Sequence, residues 1–189
     1  GLGFFPARAP LRKALEHLRS VAVLFVPVLA YGVTKPLARI LLGAVSGLEA
    51  VGLYDNADRL TALLYGLIQA SGLALLPRMA SLAGQQGPNA LKNALYEGFR
   101  WITLAAAPLA FGLVAVRDVL PAVFFGPAYR ASGEALFFLG PAFLLAAWAA
   151  VFRLQYLLPL GRDRVYVRAS LLGAAVHLAV SLLLLSRLA

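Results

Sequence analysis

The sequence predicts an all-α polytopic membrane protein with about five transmembrane helices, and three observations carry that expectation. Hydrophobic residues fill 61% of the 189 positions and charged residues only 13%, against roughly 25% charge in an average soluble domain. The mean hydropathy is +0.82. The charges gather between long apolar runs instead of recurring with an amphipathic period. No run shows the alternation, over roughly ten residues, of a barrel strand.

The chain divides into a basic segment, 1–19, and a membrane part, 20–189. Arg8, Arg12, Lys13 and Arg19 stand against Glu16 in the first, where Pro6 and Pro10 precede LRKALEHLRS. That stretch reads either as a short basic amphipathic helix lying on an anionic leaflet or as a loop rich in positive charge. The first span, 20–48, holds 29 residues, about 43 Å of helix, enough to cross a hydrocarbon core with tilt to spare. EAVGLYDNADRL, Glu49 to Leu60, reads as a short polar connection with a local Asp58–Arg59 or Asp55–Arg59 ion pair.

The second span is expected over 58–78, closing at Pro77-Arg78, and GQQGPN marks a turn-rich loop after it. The third covers 97–117 with Pro108 inside. RDVLPAVFFGPAYRASGE is too broken by Pro and Gly to cross, and reads as a hairpin or re-entrant segment at the surface. The fourth span is 133–158, and after the basic turn GRDRVYVR the fifth is 166–187, with His177 within it. Prolines 27, 36, 77, 108, 141 and 159, inside or at the edges of spans, weaken local hydrogen bonding and allow kinks.

Charge bias sets the orientation. Ten Lys and Arg residues collect on the side of the N-terminus and four on the other, while Lys35, Arg39 and Arg153 fall within the membrane. The N-terminus is therefore expected in the cytoplasm, with Glu49, Asp55, Asp58, Asp118 and Glu134 outside. The net charge of +9 follows from this topology and calls for no nucleic acid. With no cysteine in the chain, disulfides and Cys-ligated metal or redox centres are excluded. The chain opens on Gly and has no signal-peptide pattern, so it is expected to be a segment of something longer.

No hydrolytic constellation, metal-ligand cluster or nucleotide-cradling loop can be assembled, so neither an enzyme nor a cofactor is expected. What remains is the intramembrane polar set: Lys35, Arg39, Gln69 and Arg153. Lys35 and Arg39 lie four residues apart on one helical face. Each charge near mid-bilayer costs about 2.5–3.5 kcal/mol on insertion scales, so that face cannot point at lipid. Two readings compete. Either these groups line a wet cavity for an anionic head group, or each is held by a carboxylate or a carbonyl elsewhere in the protein. With Asp55 and Asp58 assigned to an external loop, the second reading needs a partner outside this chain. Arg153 either faces that cavity or, lying close to the cytoplasmic edge, snorkels to it, and Gln69 and His177 read as helix–helix hydrogen bonders.

Several stretches together resemble the polysaccharide-unit (Wzx-like) flippases of the multidrug/oligosaccharidyl-lipid/polysaccharide, or MOP, exporter superfamily. EAVGLYDNADRL is similar to the signature that follows the first helix of each lobe, and LLPRMASL to the Pro-Arg that closes the second. APLAFGL, VFFGPAYRASGEAL and LPLGRDR follow in the family's order. The resemblance implies five helices of a MATE-like six-helix lobe, the C-terminal one given the basic segment before it, with a second lobe as partner. It further implies transport of an undecaprenyl-pyrophosphate-linked, anionic glycan across the bacterial inner membrane. Lys35, Arg39, Arg153 and Gln69 are then its cavity candidates. The chain has Lys35 and Arg39 where many relatives carry an acidic residue. Within the superfamily, a lipid II flippase or a drug/cation antiporter is the alternative cargo assignment. Outside it stand a non-transporting scaffold and a polysaccharide ligase, the latter needing catalytic carboxylates or histidines on a sizeable external loop.

Overall fold

The computed structural model describes the backbone of residues 11–85 and 87–188, and side chains within 25–84 and 89–183. The side chains of the basic segment 1–19 lie outside those limits. From Leu11 onward, its backbone is helical and runs directly into the first span.

One helical stretch, Leu11–Gln85, is broken at Gly47, whose φ of 83° and ψ of 170° leave the helical region. Its apolar portion, Phe25–Gly84, has 60 residues. At 1.5 Å per residue that is about three times the thickness of a hydrocarbon core, so it has to fold back. We number the two arms α1 (11–46) and α2 (48–85). Gly47 alone makes the bend, because its positive φ with extended ψ is open essentially to glycine only. Residues 49–60 are therefore the opening turns of α2 and not a connection. The following loop is short as well, since α3 (Gly87–Ala115) begins two residues after Gln85. A short α4 (Leu120–Phe125) and a 3₁₀ turn, Pro127–Tyr129, make the surface excursion. α5 (Ser132–Val151) continues as a π-helical turn, Phe152–Leu157, and α6 (Asp163–Leu188) ends the chain. The described residues contain four helices apolar and long enough to cross, the first of them doubled back.

The prolines do not take these helices out of helical geometry. Pro27, Pro36, Pro77, Pro108 and Pro141 all sit inside helices, and Gly47 is the residue where helical geometry is lost in the hairpin. Near Pro36, the Thr34 hydroxyl donates to the carbonyl of Ala30 at 2.9 Å and reaches that of Tyr31 at 3.2 Å. Side-chain bonds of this kind occupy backbone acceptors at a weakened point of a membrane helix.

α2, α3 and α5 pack into the core. Ile68, Ile102, Ala106, Phe143, Ala147 and Val151 form one buried cluster, and Ala57, Leu60, Leu113 and Leu136 a second. α3 and α5 run antiparallel in close register. The Trp148 indole donates to the Thr103 hydroxyl at 3.0 Å, and the Phe99 and Trp148 rings stack at 5.5 Å. At Gly140 a Cβ would stand 2.9 Å from the Ala110 carbonyl oxygen and 2.7 Å from Val114. Such approach without a side chain is how membrane helices gain packing energy when lipid supplies no hydrophobic drive between them.

Candidate functional site

Placing the bend at Gly47 fixes which residues of α1 and α2 meet. In an antiparallel hairpin, residues equally far from the turn lie at the same height. Lys35 stands twelve residues before Gly47 and Asp58 eleven after it, while Arg39 and Asp55 each stand eight away. The Lys35 ammonium meets the Asp58 carboxylate at 2.6 Å, and Arg39 meets Asp55 at 2.7 Å through Nε and Asp58 at 3.4 Å through Nη2. The two cations are thus held by two carboxylates of their own chain. This corrects the expectation that the spans contain no acid and that Asp55 and Asp58 belong to an external loop beside Arg59. With α2 starting at 48, both aspartates fall within the helical stretch apolar enough to cross, and the ion pairs offset the cost of taking four charges out of bulk water.

Lys35 and Arg39 keep 36% and 38% of their side chains exposed, while Asp58 keeps 17%. That exposure faces a cavity of about 740 Å³ between α1, α2, α5 and α6. All four sequence candidates line it: Lys35 and Arg39 from α1, Gln69 from α2 and Arg153 from the π-helical turn. Such volumes are typical of small-molecule sites.

Arg153 does not snorkel out along its helix. Its Nη2 donates to the Gln69 side-chain oxygen at 2.6 Å, and its guanidinium lies 5.8 Å from the centre of the Tyr166 ring. Among the described residues it makes no ion pair. The widened turn accounts for its direction. The Leu158 amide bonds the Arg153 carbonyl, five residues back, at 3.0 Å, which is the π pattern. Two residues on, Gln155 is wholly buried against Gly98, and neither atom of its amide has a hydrogen-bond partner. The π turn thus sends Arg153 into the cavity and Gln155 into the α3–α5 seam.

Sequence reasoning also missed the aromatic lining. Tyr31, Tyr54, Tyr65 and Tyr166 all border the cavity, as does His177 on α6. The signal was present in part: Tyr54, Asp58, Thr61, Tyr65 and Gln69 recur every three or four residues, the spacing of one helical face. The lining side chains carry three cations against the carboxylate of Asp58, with Asp55 behind Arg39. An excess of positive charge remains, and it resides at Arg153.

A family model described as "Polysaccharide biosynthesis protein" matches residues 7–134. A protein of Shigella dysenteriae named "Putative O-antigen transporter" is 29% identical over 171 residues, which cover 89% of this chain and 41% of that relative. The chain therefore spans about two fifths of the length of the curated relative it matches. No solved structure matches.

Proposed function

The chain belongs to the polysaccharide biosynthesis protein family, and from that premise we propose that it forms part of a transporter that moves lipid-linked saccharide units across the cytoplasmic membrane. The cargo head group is the pyrophosphate joining the glycan to an undecaprenyl-type lipid, and it enters the cavity between α1, α2, α5 and α6. The N-terminus lies in the cytoplasm, and a second lobe completes the transport path.

One observation carries this reading. Arg153 presents a permanent positive charge to an intramembrane cavity with a neutral amide as its hydrogen-bond partner. A guanidinium presented to a cavity without a carboxylate partner is stabilised by an oxyanion, and its fork of donors matches phosphate geometry. Lys35 and Arg39 play a different part from the one the sequence suggests. Held by Asp58 and Asp55, they keep the α1–α2 hairpin closed and offer the cargo only their remaining donors. A cationic drug finds less support, since the one carboxylate that lines the cavity among the described residues already serves two cations.

Arg153→Gln and Arg153→Lys test the proposal in cells that depend on this protein for surface polysaccharide. The Gln variant is expected to cut export by about tenfold or more, the worth of a lost charge-assisted bond, at unchanged protein level. The Lys variant should retain part of it. Full export in Arg153→Gln at normal abundance contradicts the assignment.

A further inference from the structure

We infer that the cavity contains a saccharide-stacking slot between the Lys35–Asp58 and Arg153–Gln69 pairs, lined by the Tyr65 ring and by the small alanines of the neighbouring α5; this rests on the cargo reading above.

The order of residues along α2 defines the slot. Asp58 marks the end where Lys35 and Arg39 gather, and Gln69 marks the end held by Arg153. Eleven residues separate them, about 16 Å along the helix axis. Between these ends the cavity face of α2 holds Thr61, Ala62 and Tyr65 and no charge. α5, which packs beside α2, lines the same cavity with Ala142, Ala146 and Ala149, spaced to share one helical face, and α6 adds Ser170 and Gly173. A stripe of methyl groups and a phenol ring give this part of the cavity small, weakly polar walls.

The tyrosines are not equivalent. Lys35 lies 5.7 Å from the centre of the Tyr31 ring and Arg153 lies 5.8 Å from that of Tyr166, so each cation already engages one aromatic face. Tyr54 sits at the charged end, four residues from Asp58. Tyr65 stands one helical turn from Gln69, within electrostatic reach of Arg153, and among the described residues no cation sits over its ring. It packs on the core cluster on one side, which fixes the ring, and borders the cavity on the other. A pyranose ring has one face of C–H bonds, electropositive at the hydrogens, which is complementary to the negative face of an aromatic ring. Its hydroxyl rim is served by Thr61 and Ser170. A diphosphate at Arg153 then places the first sugar beside Tyr65, because one helical stripe carries both Gln69 and Tyr65.

The test measures binding by titration calorimetry to the protein in nanodiscs, using inorganic pyrophosphate, a hexose 1-diphosphate and a neutral methyl hexoside. The hexose diphosphate is expected to bind about tenfold tighter than pyrophosphate, the factor a single aromatic anchor commands. Tyr65→Phe should keep that advantage, while Tyr65→Ala and Ala146→Leu should abolish it with pyrophosphate affinity unchanged. Ala146→Leu fills the slot from α5, so it tests the slot even if Tyr65→Ala misfolds. Equal affinity for the two anions, or a sugar advantage that survives both Tyr65→Ala and Ala146→Leu, overturns the slot. The cargo reading fails separately: pyrophosphate then does not bind, or binds independently of Arg153. Methyl hexoside that still binds through Tyr65 would uphold the slot in that case, and binding of none of the three overturns both.

Discussion

The Lys35–Asp58 pair offers a quantitative test of the hairpin register. Asp58 serves Lys35 at 2.6 Å and Arg39 at 3.4 Å, so Asp58→Asn strands Lys35 and leaves Arg39 with Asp55 alone, whereas Lys35→Met leaves Asp58 with Arg39. Exposed ion pairs contribute about 0–1 kcal/mol, and breaking a fully buried pair costs about 3–5 kcal/mol. The 36% and 17% exposure of these side chains places this pair between those limits. After discounting for the open cavity, Asp58→Asn is expected to destabilise by about 1–3 kcal/mol and Lys35→Met by less. The double variant removes both charges, so it should lose less than the sum, with a coupling of about 1 kcal/mol or more. Unfolding of the purified protein by increasing mole fraction of SDS, followed by circular dichroism, yields all four corners of the cycle. Strict additivity would refute the pairing and, with it, the placement of the bend at Gly47.

Gly47→Ala meets no neighbouring atom within 4 Å, so its penalty is entirely backbone strain at φ 83°, about 1–3 kcal/mol; a lowered melting temperature checks it, and an unchanged one argues against the bend. Gly98→Ala would drive a Cβ into the amide oxygen of Gln155, which has nowhere to retreat. A loss of about 1–3 kcal/mol is expected. Gln155→Ala removes that amide and should at least halve the loss, as thermal unfolding of the single and double variants would record.

Much of this fold was legible because apolar length is a strong signal. A run such as 133–158 can do little else in a membrane, and α5 with its π turn occupies that stretch. The α1–α2 hairpin was not legible for a definite reason. Glu49, Asp55, Asp58 and Arg59 look like loop residues when read along the chain. Two of these acids are affordable inside the helix only because Lys35 and Arg39 wait across the bend. A single glycine sufficed to make the turn, and single glycines are common in membrane helices. That Lys35, Arg39, Gln69 and Arg153 deserve notice was legible because polar groups within apolar runs are conspicuous, yet their contacts depend on neighbours far off in sequence. Gln69 and Arg153, 84 residues apart, meet only through the packing of α2 on α5 and the extra residue of the π turn. No periodicity in the sequence announces that extra residue.

The most direct measurement is photo-crosslinking in cells making the polysaccharide, with a photoreactive amino acid placed at Thr61, inside the cavity, and separately at Leu67 or Leu172, on exposed faces outside it. Sugar-labelled lipid captured at Thr61, dependent on Arg153, with only phospholipid captured at Leu67 and Leu172, is the predicted result. Phospholipid alone at Thr61, or equal capture of labelled glycan at all three positions, would contradict an anionic saccharide cargo in this cavity.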